Sequence, residues 1–168
     1  MTHKRVIVSN AATTVSISLR DEAATRGLGA ALAAASAPGA VILLRGPLGA
    51  GKTTLVDGFT KAIGAGRATS PTFVIAHLYT GGRVPIWHVD LYRIDDTDEV
   101  AALDLVQYLG DDTISLVEWP DRASNFWPSD ALVVELSVEG EGRRASIASR
   151  GERWRLLPEH LRAAGLSS

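Results

Sequence analysis

The stretch "AVILLRGPLGAGKTT", residues 40–54, determines the architecture of the chain. Its first five residues form a short continuous apolar run, the pattern of a central parallel strand buried on both faces. The residues after Arg45 satisfy G-x-x-x-x-G-K-[ST] with Gly46, Gly51, Lys52 and Thr53. Glycines let successive backbone N–H groups turn inward around phosphates. The Lys52 ammonium offsets their charge, and the Thr53 hydroxyl can ligate Mg²⁺. A helix opening at that point adds its partial positive charge. The order of strand, loop and helix separates a phosphate-binding loop from a chance glycine-rich turn.

On its C-terminal side, the loop leads into a helix expected over residues 53–63, with Leu55, Phe59, Ala62 and Ile63 available for packing and Gly64 as its C-cap. Upstream, "TTVSISL" (13–19) alternates Val15, Ile17 and Leu19 with polar residues, as a half-buried strand does. The next helix has Ser18 or Asp21 near its N-cap and Leu28, Ala31, Leu32 and Ala35 inward, and Pro38-Gly39 ends it. Downstream, runs 72–79 and 84–89 joined by "TGGR" read as a hairpin. Asp96 and Glu99 have capping-box spacing for a short helix over 98–105. "TISLVE" (113–118) reads as a buried strand stopped by Trp119-Pro120. Strands at 132–138 and 145–148 flank a turn at 140–142, and an Arg-rich helix or tail follows. The fold class is therefore α/β: a mostly parallel central sheet of the phosphate-loop NTPase type, flanked by helices, with antiparallel strands added.

The 168 residues suit a single domain, with a motif-bearing core over about 19–148 and an Arg-rich segment at 149–168. Hydrophobic residues make up 46% and charged residues 21%, which favours neither disorder nor a membrane protein. No apolar segment follows the basic residues near the N-terminus, so the expected location is the cytoplasm, with no membrane contact. There are no cysteines, and the four histidines lack metal-ligand spacing. A net charge of −2 argues against unaided grip on DNA or RNA. The charge is uneven: residues 1–142 hold 11 basic and 17 acidic side chains (−6), and residues 143–168 hold six arginines and two glutamates (+4). That excess reads as a solvated face or as a docking or phosphate-facing patch.

A triphosphatase also needs carboxylates at strand ends beside the loop. Asp90 closes "VPIWHVD", where alternation puts Ile86, His88 and Asp90 on one side; Glu118 closes "ISLVE". Either carboxylate can hold the metal or position the attacking water. Thr72 in "SPTF" stands between the loop helix and the hairpin, where a threonine can close onto a γ-phosphate or Ser70-Pro71-Thr72 can simply be a turn and strand start. His88 can orient Asp90 or a water, or serve as a structural histidine. Trp119 can wall the site or fill the core, and Arg93 can stabilise transferred charge or pair with a nearby acid. The acidic residues Asp95, Asp96, Asp98, Glu99, Asp104, Asp111 and Asp112 form a solvated face or a contact for a basic partner. The nearest string to a guanine-selecting [NT]-K-x-D is "TKAI", which lacks the aspartate, so adenine is favoured. No Arg-rich lid of the kind small-molecule kinases carry is evident.

Taken in order, "GPLGAGKTT", "SPTF", "HVDLYR" and "LVEWP" resemble the TsaE (YjeE) family, the ATPase component of the bacterial machinery that makes threonylcarbamoyladenosine in tRNA. The resemblance spans about residues 19–148. It implies an Mg²⁺-dependent ATPase giving ADP and phosphate, slow without partners. Those partners would be TsaD and TsaB, with tRNA reached through the complex. It also implies that Gly49, Ala50, Gly51, Lys52, Thr53 and Thr54 hold the ATP phosphates. Thr53 and Glu118 would ligate Mg²⁺, with Asp90 in the Walker B-like role and in reach of the metal, and Thr72 would be the switch threonine. Glu22 and Gly142 fall where the family approaches base and ribose. Pro47 and Val74 depart from the family's frequent aspartate and threonine. An assembly module that needs no hydrolysis and a small-molecule kinase are the alternatives.

Overall fold

The computed structural model describes residues 13–69, 75–94, 100 and 102–166. Within them run β1 (Thr13–Leu19), α1 (Glu22–Ala35), β2 (Val41–Arg45), α2 (Lys52–Ile63), β3 (Ala76–Tyr79) and β4 (Ile86–Asp90). These are followed by β5 (Ile114–Glu118), β6 (Leu132–Glu139), β7 (Gly142–Ser149) and α3 (Leu157–Ala163). The strands form one sheet in the order β1-β7-β6-β2-β5-β4-β3. β6, β2, β5 and β4 are mutually parallel; β3 joins one end antiparallel, and β7 and then β1 the other.

Alternation along β2 sorts the core into two layers. Ile42 and Leu44 face the cluster that includes Leu28 and Leu32 of α1, Leu55 and Phe59 of α2, and Leu157 and Leu161 of α3. Val41 and Leu43 face the other way, onto Val89, Leu91, Leu105 and Val117, and among the described residues this second face is covered by loops, 3-10 turns and the helical residue Val100.

Helices α1 and α2 meet backbone to backbone. A Cβ on Gly29 would lie 2.1 Å from the Leu55 carbonyl oxygen, and one on Gly58 would lie 2.1 Å from that of Arg26. Only glycine permits that approach from either side. The Asp21 side chain caps α1 by accepting the Ala24 N–H at 2.7 Å. Its last turn has no basic residue of its own, and Arg83 from the β3–β4 connection donates to the Ala33 carbonyl at 2.7 Å instead.

The Arg-rich segment contains α3, which packs against α1. Trp154 is 2% exposed and donates its indole N–H to the Asp130 carbonyl at 2.7 Å. Arg153 and Arg144 pair with Asp130 and Glu139. Of the hairpin strand expected over 72–79, Ala76–Tyr79 form β3, and the Asp90 N–H donates to the Ile75 carbonyl at 2.8 Å. Thr72 and Val74 lie outside the described residues, as do residues 98, 99 and 101 of the helix expected over 98–105, whose last residue opens a 3-10 turn running Leu105–Tyr108. No helix among the described residues is long and apolar enough to cross a membrane.

Asp57 of α2 ties the end of the loop helix together. Its carboxylate accepts from Arg26 at 3.1 Å, Lys61 at 2.8 Å and the Ala68 N–H at 3.2 Å. Burial by itself pushes this carboxyl up, but the hydrogen bonds from Lys61, Arg26 and Ala68 outweigh burial and hold it below the ordinary aspartate range. A group whose folded value is depressed contributes stability above its unfolded value, and that contribution is lost as pH falls through the folded value. Asp57→Asn should therefore lower unfolding stability by about 1–3 kcal/mol at neutral pH. In urea titrations repeated at decreasing pH, the gap between parent and variant should close below about pH 3.9, the ordinary aspartate value.

Candidate functional site

β2 ends at Arg45, and the chain turns through Gly46, Gly49 and Gly51 at φ of 131°, 76° and 101° before α2 begins at Lys52. β6 passes so close that a Cβ on Gly46 would lie 2.3 Å from the Leu136 carbonyl oxygen. Gly51 is the N-cap of α2 and brings no side chain to the first-turn amides, which leaves them to an outside acceptor. The Gly49–Ala50 peptide is held at both ends: the Ala50 N–H donates to the Pro47 carbonyl at 3.1 Å, and Arg143 Nη2 donates to the Gly49 carbonyl at 3.2 Å.

Lys52 is only 4% exposed. Its ammonium donates to the Gly46 and Pro47 carbonyls at 2.8 and 2.9 Å and lies 4.3 Å from the Trp119 ring centre. Burial lowers its pKa, against the opposing pull of Glu118 and Asp90. A cation in this position gains from any anion that enters the loop.

The parallel pairing of β4 with β5 sets Asp90 opposite Glu118, and that of β2 with β5 sets Leu44 beside the same glutamate. Both carboxylates therefore stand at the sheet edge from which the loop emerges. Glu118 is 3% exposed, and its Oε1 accepts the Thr53 hydroxyl at 3.0 Å and contacts His88 Nε2 at 2.9 Å. Asp90 accepts the Tyr92 N–H at 3.0 Å; burial raises its pKa, the Tyr92 bond opposes that, and the Glu118 charge adds to it. Trp119 is the one non-glycine residue at positive φ among the described residues, at 59°. For so bulky a side chain this is a strained conformation, and it holds the ring between Lys52 and Tyr92, whose ring centre is 5.0 Å away.

Of the residues expected from sequence, the loop from Gly49 to Thr54, Asp90, Glu118 and Trp119 come together. Glu22 begins α1 and pairs with Arg26 at 3.0 Å, while Gly142 begins β7, where a Cβ would lie 2.5 Å from the Leu19 carbonyl oxygen. For His88, expected either to orient Asp90 or a water or to serve as a structural histidine, the side-chain contact is Glu118, reached across the β4–β5 ladder. Arg143 enters the sequence reading only as one of the six arginines of 143–168 and Tyr92 only as part of "HVDLYR", so neither is singled out for the site. The described residues contain no cluster of three or more His, Cys, Asp or Glu able to hold a metal ion by themselves. The Thr53 hydroxyl and the two carboxylates are hard oxygen donors of the kind Mg²⁺ takes when phosphates complete its shell.

Comparison with known proteins bears on this arrangement. The family model for threonylcarbamoyl adenosine biosynthesis protein TsaE matches residues 19–146. The tRNA threonylcarbamoyladenosine biosynthesis protein TsaE of Bacillus subtilis (strain 168) is 35% identical over 139 residues, covering 82% of this chain and 87% of that protein. Its counterpart in Nostoc sp. (strain PCC 7120) is 41% identical over 133 residues, covering 76% and 81%. The crystal structure of Bacillus subtilis YdiB superposes with a TM-score of 0.77 at 28% identity, covering 94% of this chain and 99% of that one.

The loop's tolerance can be measured through two glycines. Gly140 has positive φ but open space around it, so Gly140→Ala should cost about 1–2 kcal/mol in urea unfolding. Gly46→Ala adds the collision with Leu136 and should cost about 1–3 kcal/mol more.

Proposed function

The chain belongs to the TsaE family of threonylcarbamoyl adenosine biosynthesis proteins, and on that basis we propose that it binds ATP and hydrolyses it to ADP and phosphate in support of that tRNA modification. The observation that carries this reading is the link from Thr53, in the first turn of the loop helix, to Glu118 at the end of the neighbouring strand, with buried Lys52 alongside. A structural turn has no use for a buried lysine held against main-chain carbonyls.

In this reading the amides of the Gly49–Thr54 segment surround the phosphates, and the Lys52 ammonium exchanges the Gly46 and Pro47 carbonyls for phosphate oxygens. Mg²⁺, when bound with the nucleotide, would neutralise charge on the phosphate oxygens. Thr53 and Glu118 would hold it, with Asp90 next to them. Asp90 is the better placed of the two carboxylates to orient water, since Glu118 is already engaged by two side chains. Trp119 walls the loop. Thr72 keeps its assignment as the residue closing on the γ-phosphate, and Glu22 and Gly142 theirs on the base and ribose side. TsaB and TsaD are the proposed partners, tRNA is contacted through them, and tRNA modification sets the compartment as the cytoplasm.

The test is ATP hydrolysis by the purified protein, alone and with TsaB, TsaD and tRNA. Turnover should rise with the partners and fall about 100-fold or more in Thr53→Ala and in Glu118→Gln. Turnover indifferent to both substitutions would sink the assignment. Modification that survives Glu118→Gln without hydrolysis would make the protein an assembly module, and label passing from the γ-phosphate to an acceptor other than water would make it a kinase.

A further inference from the structure

His88 is fully buried, in a strand whose neighbouring core positions, Ile86 and Val89, are aliphatic. Its Nε2 lies 2.9 Å from Glu118 Oε1, while its Nδ1 is buried with no hydrogen-bond partner among the described residues. A buried polar atom without a partner opposes folding, and an aliphatic side chain would avoid that penalty. What the imidazole provides in return is Nε2. Of the two neutral tautomers, only the one with hydrogen on Nε2 points a donor at the carboxylate; the other sets a lone pair against it. The basic nitrogen then points away from Glu118, so the ring is a donor to the site and not a base within it.

We propose that His88 is a positioning residue that fixes the Glu118 carboxylate for cation binding; this rests on the reading of Glu118 as a carboxylate that holds Mg²⁺ beside the nucleotide. The two donors to Glu118, His88 and Thr53, converge on the same oxygen, which sets the rotation of the carboxylate about its stem. Thr53 has a second duty, because its own oxygen is assigned to the cation. His88 has none, and its place is set by the β4–β5 ladder, which pairs His88 with Leu116 and Asp90 with Glu118. Tyr79 lies across the ring at 6.5 Å between centres, nearly parallel. Partners that orient metal-holding groups in this way typically contribute about 10–100-fold in metal affinity.

Mg²⁺ titrated into the ADP-loaded protein, followed by tryptophan fluorescence, tests this. His88→Leu should weaken Mg²⁺ binding by about 10–100-fold while leaving ADP affinity in chelator unchanged. His88→Gln, whose amide nitrogen reaches about as far as Nε2, should restore most of the loss. Nitrogen NMR of the unsubstituted protein should show His88 with its hydrogen on Nε2. Mg²⁺ affinity in His88→Leu equal to the parent, a glutamine variant as impaired as the leucine one, or hydrogen on Nδ1 with none on Nε2 would each overturn the proposal. A parent protein that binds no ADP, or binds it without Mg²⁺ dependence, would reject the nucleotide reading and His88's role with it. Parent-like binding in the leucine variant would reject His88 alone.

Discussion

The parallel seating of β5 between β2 and β4 is the constraint on which the rest of the molecule depends. Its register places Glu118 beside Leu44 on one side and Asp90 on the other, at the edge where β2 gives way to the glycine loop. A slip of one residue would turn Glu118 to the opposite face of the sheet and separate it from Thr53. The apolar runs of β2 and β5 resist such a slip because both faces of those strands are buried. The hydrophobic core and the arrangement of polar groups are thus fixed by the same hydrogen-bond ladder.

Much of this is legible in the sequence. The continuous apolar run at 40–44, the strand pattern at 113–118, the glycine pattern between strand and helix, and Gly64 as a C-cap each carry local physics that needs no distant partner. Periodicity assigns a residue to a face, as it does for His88 and Asp90, but does not say which strand lies alongside. The contact from His88 to Glu118 needs the strand order, which is a property of the folded chain. The contact of Arg143 with the loop is invisible in the sequence for a related reason. It reaches Gly49 only because β7 pairs with β6 and β6 with β2, an arrangement that no spacing within residues 140–150 announces.

The basic excess near the C-terminus shows what composition leaves open. Read as charge, six arginines against two glutamates suggest either a solvated face or a docking or phosphate-facing patch. In the fold, Arg144 and Arg153 face carboxylates and Arg143 faces main-chain carbonyls, while Trp154, Leu157 and Leu161 between them close the core over α1. The segment serves as the lid of the hydrophobic layer, and its charges border that lid. The buried cation at the site is Lys52, one residue in a neutral-looking loop.

The glycine contact between α1 and α2 has a mechanical meaning. Helices separated by side chains can slide, because rotamers yield; helices whose backbones touch behave as a single block. The loop helix is geared in this way to α1, so a ligand arriving at Thr53 meets an anvil. On the proposed reading, the response would fall to side chains, the Lys52 ammonium held by two carbonyls and the Trp119 ring beside it. A larger residue at Gly58 would act as a wedge against Arg26, tilting the glycine loop from more than a full helical turn away without touching one group in the site.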